Sequence, residues 1–326
     1  MAKEKVGVAL IGAGSISEMH GRGLAACSHA EYIGVFDPDT DRAKSNAEKF
    51  GGKLFENVDQ ILEDLSVGAV HVLSPHDFHV PHALACLEAG KHVLVEKPVA
   101  YQITQIKKLQ EAAAKAKRLC VPGHNYIHVP SIRRAKRLIE SGRLGDIYGF
   151  WMLYNVFHSE EVASLYGGIL RAVGVPHAYS LLYLLGRPKR VSAMMARVHY
   201  EKLDCEDVTS VMCTMPCGAI AHLWASFAGN DPTNDPWTVN YKVLGTKGGV
   251  NFSWGEARFA DITAPCWDMA AYEESVACEI EFFINRCILE GEPPLSSLQD
   301  AIDALRIVEE AERSAAKQGA TVEMSY

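Results

Sequence analysis

Two glycines flanking one residue, Gly12 and Gly14, follow the apolar run Val6 to Ile11 and precede a helical stretch that carries Met19 and Leu24. A glycine loop between strand and helix lets a dinucleotide pyrophosphate approach the backbone and rest at the positive end of the helix, where Ser15 and Ile16 complete the expected seat. Ser17 stands where a third glycine is common, a helix-packing position at which a small residue suffices. Asp37 follows Gly14 by 23 positions and ends a second apolar run, the place for a carboxylate that binds an adenosine ribose. Such a carboxylate repels a 2′-phosphate, so NAD is expected ahead of NADP, with Arg42 softening the preference. In the competing reading Asp37 caps the helix that begins near Thr40.

The next chemistry-bearing stretch is Val72-Leu73-Ser74-Pro75-His76-Asp77-Phe78-His79, followed by Ala89-Gly90-Lys91-His92-Val93-Leu94-Val95-Glu96-Lys97-Pro98. Here the sequence resembles the glucose-fructose oxidoreductase / inositol dehydrogenase (Gfo/Idh/MocA) family. That family's pattern is proline, a nearby histidine, alanine-glycine-lysine, a hydrophobic strand and glutamate-lysine-proline. Further matches run through Leu138 to Ile147, Gly167-Gly168 with His177, Gly245 to Gly248, and Ser296 to Ala316. The resemblance implies an NAD(P)-dependent oxidoreductase with Ser74, Pro75, His79, Glu96 and Lys97 on the cofactor side. It implies Lys97 and His177 as the catalytic pair.

Lys97 lies just beyond a predicted parallel strand, where open α/β sheets bind ligands, and an ammonium there favours a developing alkoxide. Its competing reading is a surface lysine paired with Glu96. His177 suits proton exchange near neutral pH, and its competing reading is a core histidine. Family dehydrogenases commonly carry an aspartate four residues before this histidine, and this chain does not. Counting from Leu170 puts Ala172 there, and counting back from His177 puts Val173 there, in a loop read as one residue longer. Arg171, a carboxylate from elsewhere or an acidic substrate group is left to compensate.

Three other groups carry open readings. His76, His79 and His82 recur at spacings of three and could gather round a metal, but no metal is expected. His124, Asn125 and Tyr126 follow the last strand of the first domain, as substrate contacts or as linker packing. Trp224, Phe227 and Trp237 are read as sheet-face or interface residues ahead of substrate-stacking ones.

Positioning these residues requires two folds in series. Strand-like runs at Val6 to Ile11, Glu31 to Phe36, Gly68 to Leu73, His92 to Val95 and Leu119 to Val121 alternate with helical ones at Asp41 to Phe50, Phe78 to Ala89 and Thr104 to Lys117. This predicts a doubly wound parallel α/β (Rossmann) domain over residues 1–122. From 123 to 326 the pattern predicts an α+β domain whose large, mainly antiparallel sheet is open on one face. Its strands are Asp146 to Phe157, Arg190 to His199, Asp207 to Met215, Ala219 to Phe227 and Val239 to Leu244. Its helices are Ser131 to Ser141, a short one at His177 to Leu185, Tyr272 to Leu289 and Leu298 to Lys317.

The 326 residues carry a net charge of -8 with 48% hydrophobic composition, which fits a folded globular chain and disfavours nucleic acid as a partner. No run approaches the roughly 20 apolar residues that span a bilayer, and so little chain precedes Val6 that a cytoplasmic location is expected. The nine cysteines are scattered and are read as reduced thiols. The expectation is an NAD-dependent oxidoreductase acting on a sugar, cyclitol or related polyhydroxylated molecule, assembled as a homodimer or homotetramer through the second-domain sheet. The alternatives are an enzyme that reduces and reoxidises bound NAD during elimination, epimerisation or glycosidic cleavage, and a non-catalytic NAD- or sugar-binding sensor.

Overall fold

The computed structural model describes residues 5–230, 239–253 and 269–326. By compactness the chain forms two units, Met1–His128 with Glu273–Ile302, and Val129–Tyr272 with Asp303–Tyr326. In place of a single division near 122, a late segment returns to complete the first unit.

The first unit runs β1 (Val6–Ile11), α1 (Ser15–Ala26), β2 (Ala30–Phe36), α2 (Thr40–Phe50), β3 (Lys53–Leu54), α3 (Val58–Glu63), β4 (Ala69–Val72), α4 (His79–Glu88), β5 (His92–Val95), α5 (Ile103–Ala116) and β6 (Cys120–Pro122). Its six strands form one parallel sheet in the order β3-β2-β1-β4-β5-β6. This is the doubly wound order, and its topological switch falls between β1 and β4. The central strands are apolar and buried because helices cover both faces, with the fully buried His71 of β4 as the polar exception. β3 and α3 are too short to show a period in the sequence.

The second unit begins with α6 (Pro130–Glu140), β7 (Ile147–Asn155), α7 (Glu160–Ala163), α8 (Ile169–Leu185), β8 (Arg190–Ala196), β9 (Val208–Thr214), β10 (Ile220–Ser226), β11 (Val239–Gly245) and β12 (Gly248–Ser253). Then α9 (Met269–Glu281), with a wide-turned continuation over Phe282–Leu289, belongs mostly to the first unit. α10 (Leu298–Ala315) passes from the first unit into the second, where β13 (Val322–Glu323) ends the fold. The second sheet has the order β12-β11-β7-β10-β9-β8-β13, and all its pairings are antiparallel except β7 with β10.

On its inner face Phe150, Met152, Leu223 and Val211 are buried beneath helices. Across its outer face the register aligns Lys242, Trp151, His222, Met212 and Ser192 in one row.

The largest departure from the sequence reading is α8, which starts eight residues before the predicted His177. Gly174 and Pro176 mask it in the sequence, since both are poor helix-interior residues. Gly174 earns its place by close packing: a Cβ there would lie 2.8 Å from Leu170 Cδ1 and 3.4 Å from Val308 Cγ2.

Candidate active site

β1 ends in the glycine loop, and Gly12 is required there twice over. Its φ is +110°, and a Cβ would lie 2.6 Å from the Leu73 backbone. Gly14 differs, because a Cβ built on it meets nothing within 4 Å. It precedes α1 in extended conformation, and no side chain caps that helix. The open space beside Gly14 and the uncapped amides beginning at Ser15 and Ile16 fit a pyrophosphate.

Asp37 closes the same loop. Its Oδ2 accepts from the Ala13 amide at 2.7 Å and its Oδ1 from the Asp39 amide at 2.8 Å. The capping role belongs to Asp39, which accepts from the Arg42 amide and pairs with the Arg42 side chain at 3.0 Å. Ser17, 2% exposed, takes the packing role expected of it, donating to Gly14 O and accepting from Asn46 on α2. The glycine loop and the uncapped α1 amides fit NAD; the Asp37 carboxylate ends β2 beside that loop, and Arg42 is drawn toward Asp39.

Two further loops leave the same edge of the sheet, after β4 and β5. His79 ties them together, with Nε2 2.8 Å from Ser74 O and Nδ1 2.9 Å from Pro98 O. Burial lowers its pKa from the ordinary histidine value while the two carbonyls act the other way, and a ring nitrogen donates to its carbonyl when it carries a proton. Ser74 Oγ lies 3.0 Å from His82 Nδ1, Pro75 is exposed, and His76 meets the edge of the His79 ring. Among the described residues no group of three His, Cys, Asp or Glu side chains could hold a metal. Lys97 is half-buried directly after β5, while Glu96 is turned inward and only 8% exposed.

Glu96 leads to a network that the sequence reading missed. Its Oε2 accepts from the Lys97 amide at 3.0 Å, and its Oε1 lies 3.3 Å from His20 Nε2. His20 Nδ1 lies 3.0 Å from His71 Nδ1. Burial opposes ionisation of Glu96, but the His20 hydrogen bond, the His20 and Lys97 charges and the Lys97 amide together hold its pKa below the usual value. The one visible signal was His71 itself, a histidine within an otherwise apolar parallel strand.

Burial and the nearby Glu96 charge push the pKa of Glu279 of α9 well above the usual carboxylate value. His124 Nδ1 lies 2.6 Å from Ser296 Oγ, Asn125 donates to Ser275 Oγ at 2.7 Å, and Tyr126 is 4% exposed. Two of the three expected substrate contacts, His124 and Asn125, thus bond the returning segment within the first unit, and Tyr126 is buried beside them in sequence.

In the second unit, the continuous helix α8 leaves no lengthened loop at 171–177, which corrects the sequence reading. His177 is 1% exposed and shares a small pocket with Leu170, Gly174, Thr209, Val211 and Leu223. Its Nε2 is buried without a hydrogen-bond partner, the edge of the Tyr154 ring is nearby, and burial pushes its pKa down to about 3. Arg171 is held by Glu312 through contacts of 2.7 and 2.8 Å, which ties α8 to α10. Glu206 accepts from the Leu170 amide at 2.9 Å, capping α8. Neither carboxylate replaces the absent aspartate at His177.

Trp224 lies on the outer sheet face and donates to Asn155 at 2.9 Å, whereas Phe227 is buried against His158 and Tyr154. Trp237 lies outside the described residues.

Residues 6–124 match the oxidoreductase family with an NAD-binding Rossmann fold, GFO_IDH_MocA, and residues 132–251 match the GFO/IDH/MocA C-terminal domain. The chain belongs to the GFO/IDH/MocA family. Among curated members, glucose-6-phosphate 3-dehydrogenase of Bacillus subtilis is 38% identical over 44% of this chain, and the match covers only 40% of that protein. The 4-carboxy-2-hydroxymuconate-6-semialdehyde dehydrogenase of a Sphingobium species is 25% identical over 96% of this chain and 99% of its own. Among solved structures, GenD2 from gentamicin A biosynthesis, in complex with NAD, superposes with a TM-score of 0.86 at 23% identity. That superposition covers 100% of this chain and 98% of that one. This chain carries Gly12, Gly14, Asp37, Glu96 and Lys97, while α8 has Ala172 and Val173 and so no carboxylate at either position.

Proposed function

We propose that this GFO/IDH/MocA protein is an NAD-dependent dehydrogenase that oxidises a CH–OH group of a sugar, cyclitol or related polyhydroxylated molecule, or reduces the matching carbonyl. The observation that carries the proposal is the placing of Lys97, half-buried at the carboxyl end of β5, in the sheet whose β1 end bears the glycine loop and whose β2 end bears Asp37. NAD, when bound, supplies the hydride acceptor. Asp37 selects the unphosphorylated ribose, and the α1 amides take the pyrophosphate. Lys97 faces the reacting oxygen and stabilises its developing charge. The sugar and cyclitol class is supported by relatives such as the Bacillus glucose-6-phosphate 3-dehydrogenase and an inositol 2-dehydrogenase of Saccharopolyspora erythraea.

A second reading retains His177 as proton acceptor, favoured by its partnerless Nε2. The first reading makes it a packing residue, because its surroundings are apolar and its pKa is far below neutrality.

The proposal extends to assembly and location. The outer sheet face exposes Trp151, Met194, Met212 and Ile220. An apolar surface of this kind suits pairing with a second copy. No helix among the described residues is long and apolar enough to cross a membrane, and a cytoplasmic location with no nucleic-acid partner suits the charge of -8.

The test is a panel of polyols, sugars and sugar acids followed at the NADH absorbance with NAD and NADP compared. Turnover with NAD is expected. Substrate loss without accumulating NADH would move the proposal to transient redox chemistry, and no turnover on any substrate would move it to a sensor.

A further inference from the structure

His71 occupies the centre of a parallel sheet, at 0% exposure, where a branched apolar residue would raise no polar cost. Burial drives its pKa far below the ordinary value, its Nε2 has no hydrogen-bond partner, and the Phe283 ring lies 6.1 Å away. An unpartnered buried polar atom carries an uncompensated desolvation cost, so the residue calls for an offsetting role. Among the described residues its ring is hydrogen-bonded to His20, at 3.0 Å between the two Nδ1 atoms.

Two such nitrogens can bond only if one donates and the other accepts. When His71 donates its Nδ1–H, His20 accepts at Nδ1, and the His20 ring proton sits on Nε2, facing Glu96 Oε1 at 3.3 Å. His71 thereby selects the His20 tautomer that serves Glu96. The other oxygen of Glu96 takes the Lys97 amide at 3.0 Å. His20 belongs to α1, the helix whose uncapped first amides are proposed above to take the pyrophosphate.

We infer that His71, His20 and Glu96 are positioning residues that fix the Lys97 loop to the cofactor-binding helix, so that the phosphate seat and the lysine are set as one rigid unit. The inference rests on the role proposed for Lys97 above, and the chain of contacts is its own evidence. The titratable groups acting on Glu96 are His20, His71 behind it, Lys97, Glu279 of α9, and His76 and His79 from the loop after β4. Of these, only His20 and the Lys97 amide are recorded in hydrogen bonds to its carboxylate. Without His20 the buried carboxylate loses the partner that keeps it ionised, and its attraction for the Lys97 ammonium goes with it.

The test is substrate-free. Acetic anhydride labelling at pH 8, quantified by peptide mass spectrometry, is compared at Lys97 and at Lys91, which is buried to 6% exposure and reports general loosening. In both His20→Leu and His71→Leu the labelling of Lys97 should rise at least threefold with Lys91 unchanged. His20→Gln, which keeps a donor for Glu96, should return it to within twofold of wild type. Lys97 labelling within twofold of wild type in both leucine variants overturns the inference, as does a parallel rise at Lys91. NADH fluorescence is measured alongside. Failure of the wild type to bind NADH would sink the cofactor reading and leave the Lys97 ratio to decide this one.

Discussion

The Ala13 amide donates to Asp37 Oδ2 at 2.7 Å, joining the glycine loop after β1 to the end of β2. The carboxylate therefore shapes the loop in addition to the ribose-binding role proposed for it, and its removal should weaken NAD through both routes. Asp37→Ser is expected to raise the NAD dissociation constant about 10- to 100-fold, from about 1.5–3 kcal/mol for a lost charged hydrogen bond. NADP binding should weaken less, because the repulsion of the 2′-phosphate disappears with the charge. Titration of both cofactors by fluorescence measures the ratio, and an unchanged NAD affinity would refute the ribose assignment.

Lys97→Ala should separate binding from chemistry. Loss of one preorganised group at a developing oxyanion typically costs about 10²–10³ in rate. The variant is expected to lose that much in kcat while NADH binding stays within a few-fold, since the pyrophosphate seat and Asp37 lie on other strands.

Much of the first unit was legible in the sequence because its chemistry is local. Gly12, Gly14 and Asp37 sit at the ends of strands that the apolar runs delimit, and the Ala13–Asp37 hydrogen bond joins those two strand ends. The His20–Glu96 and His20–His71 contacts were not legible, since they join residues 76 and 51 positions apart and the Glu96-Lys97-Pro98 motif does not say what its glutamate meets. The opposite failure occurred at α8. There a glycine and a proline looked like loop signals, but tertiary packing overrode propensity and placed His177 on the buried face of a helix.

Gly12 and Gly14 should part company under substitution. Gly12→Ala forces a side chain into positive φ and onto the Leu73 backbone, so it should lower the melting temperature markedly. Gly14→Ala meets open space in an extended backbone that any residue adopts. Its melting temperature should stay within about 1 °C of wild type, since unstrained surface substitutions change stability little. Its NADH affinity should nonetheless fall by about tenfold, because the added methyl occupies the space of the pyrophosphate. Calorimetry and fluorescence on the same two variants separate the folding role from the binding role.

His177 sets a pH dependence that distinguishes its two readings. The folded ring stays neutral down to about pH 3, whereas in the unfolded chain it takes a proton near its ordinary value of about 6.5. Between these values the unfolded state binds more protons, so stability is full above about pH 6.5 and is lost as pH falls toward 3. One such group contributes a slope of about 1.4 kcal/mol per pH unit within that window. His177→Leu removes the titrating group and its partnerless nitrogen while filling the same apolar pocket. Urea midpoints for the variant should match or exceed wild type at pH 7, and should fall less steeply between pH 6 and 4. Turnover within about threefold of wild type would accompany a packing role. A hundredfold fall in kcat with a preserved midpoint would instead return His177 to proton transfer, so the paired measurements decide between the readings.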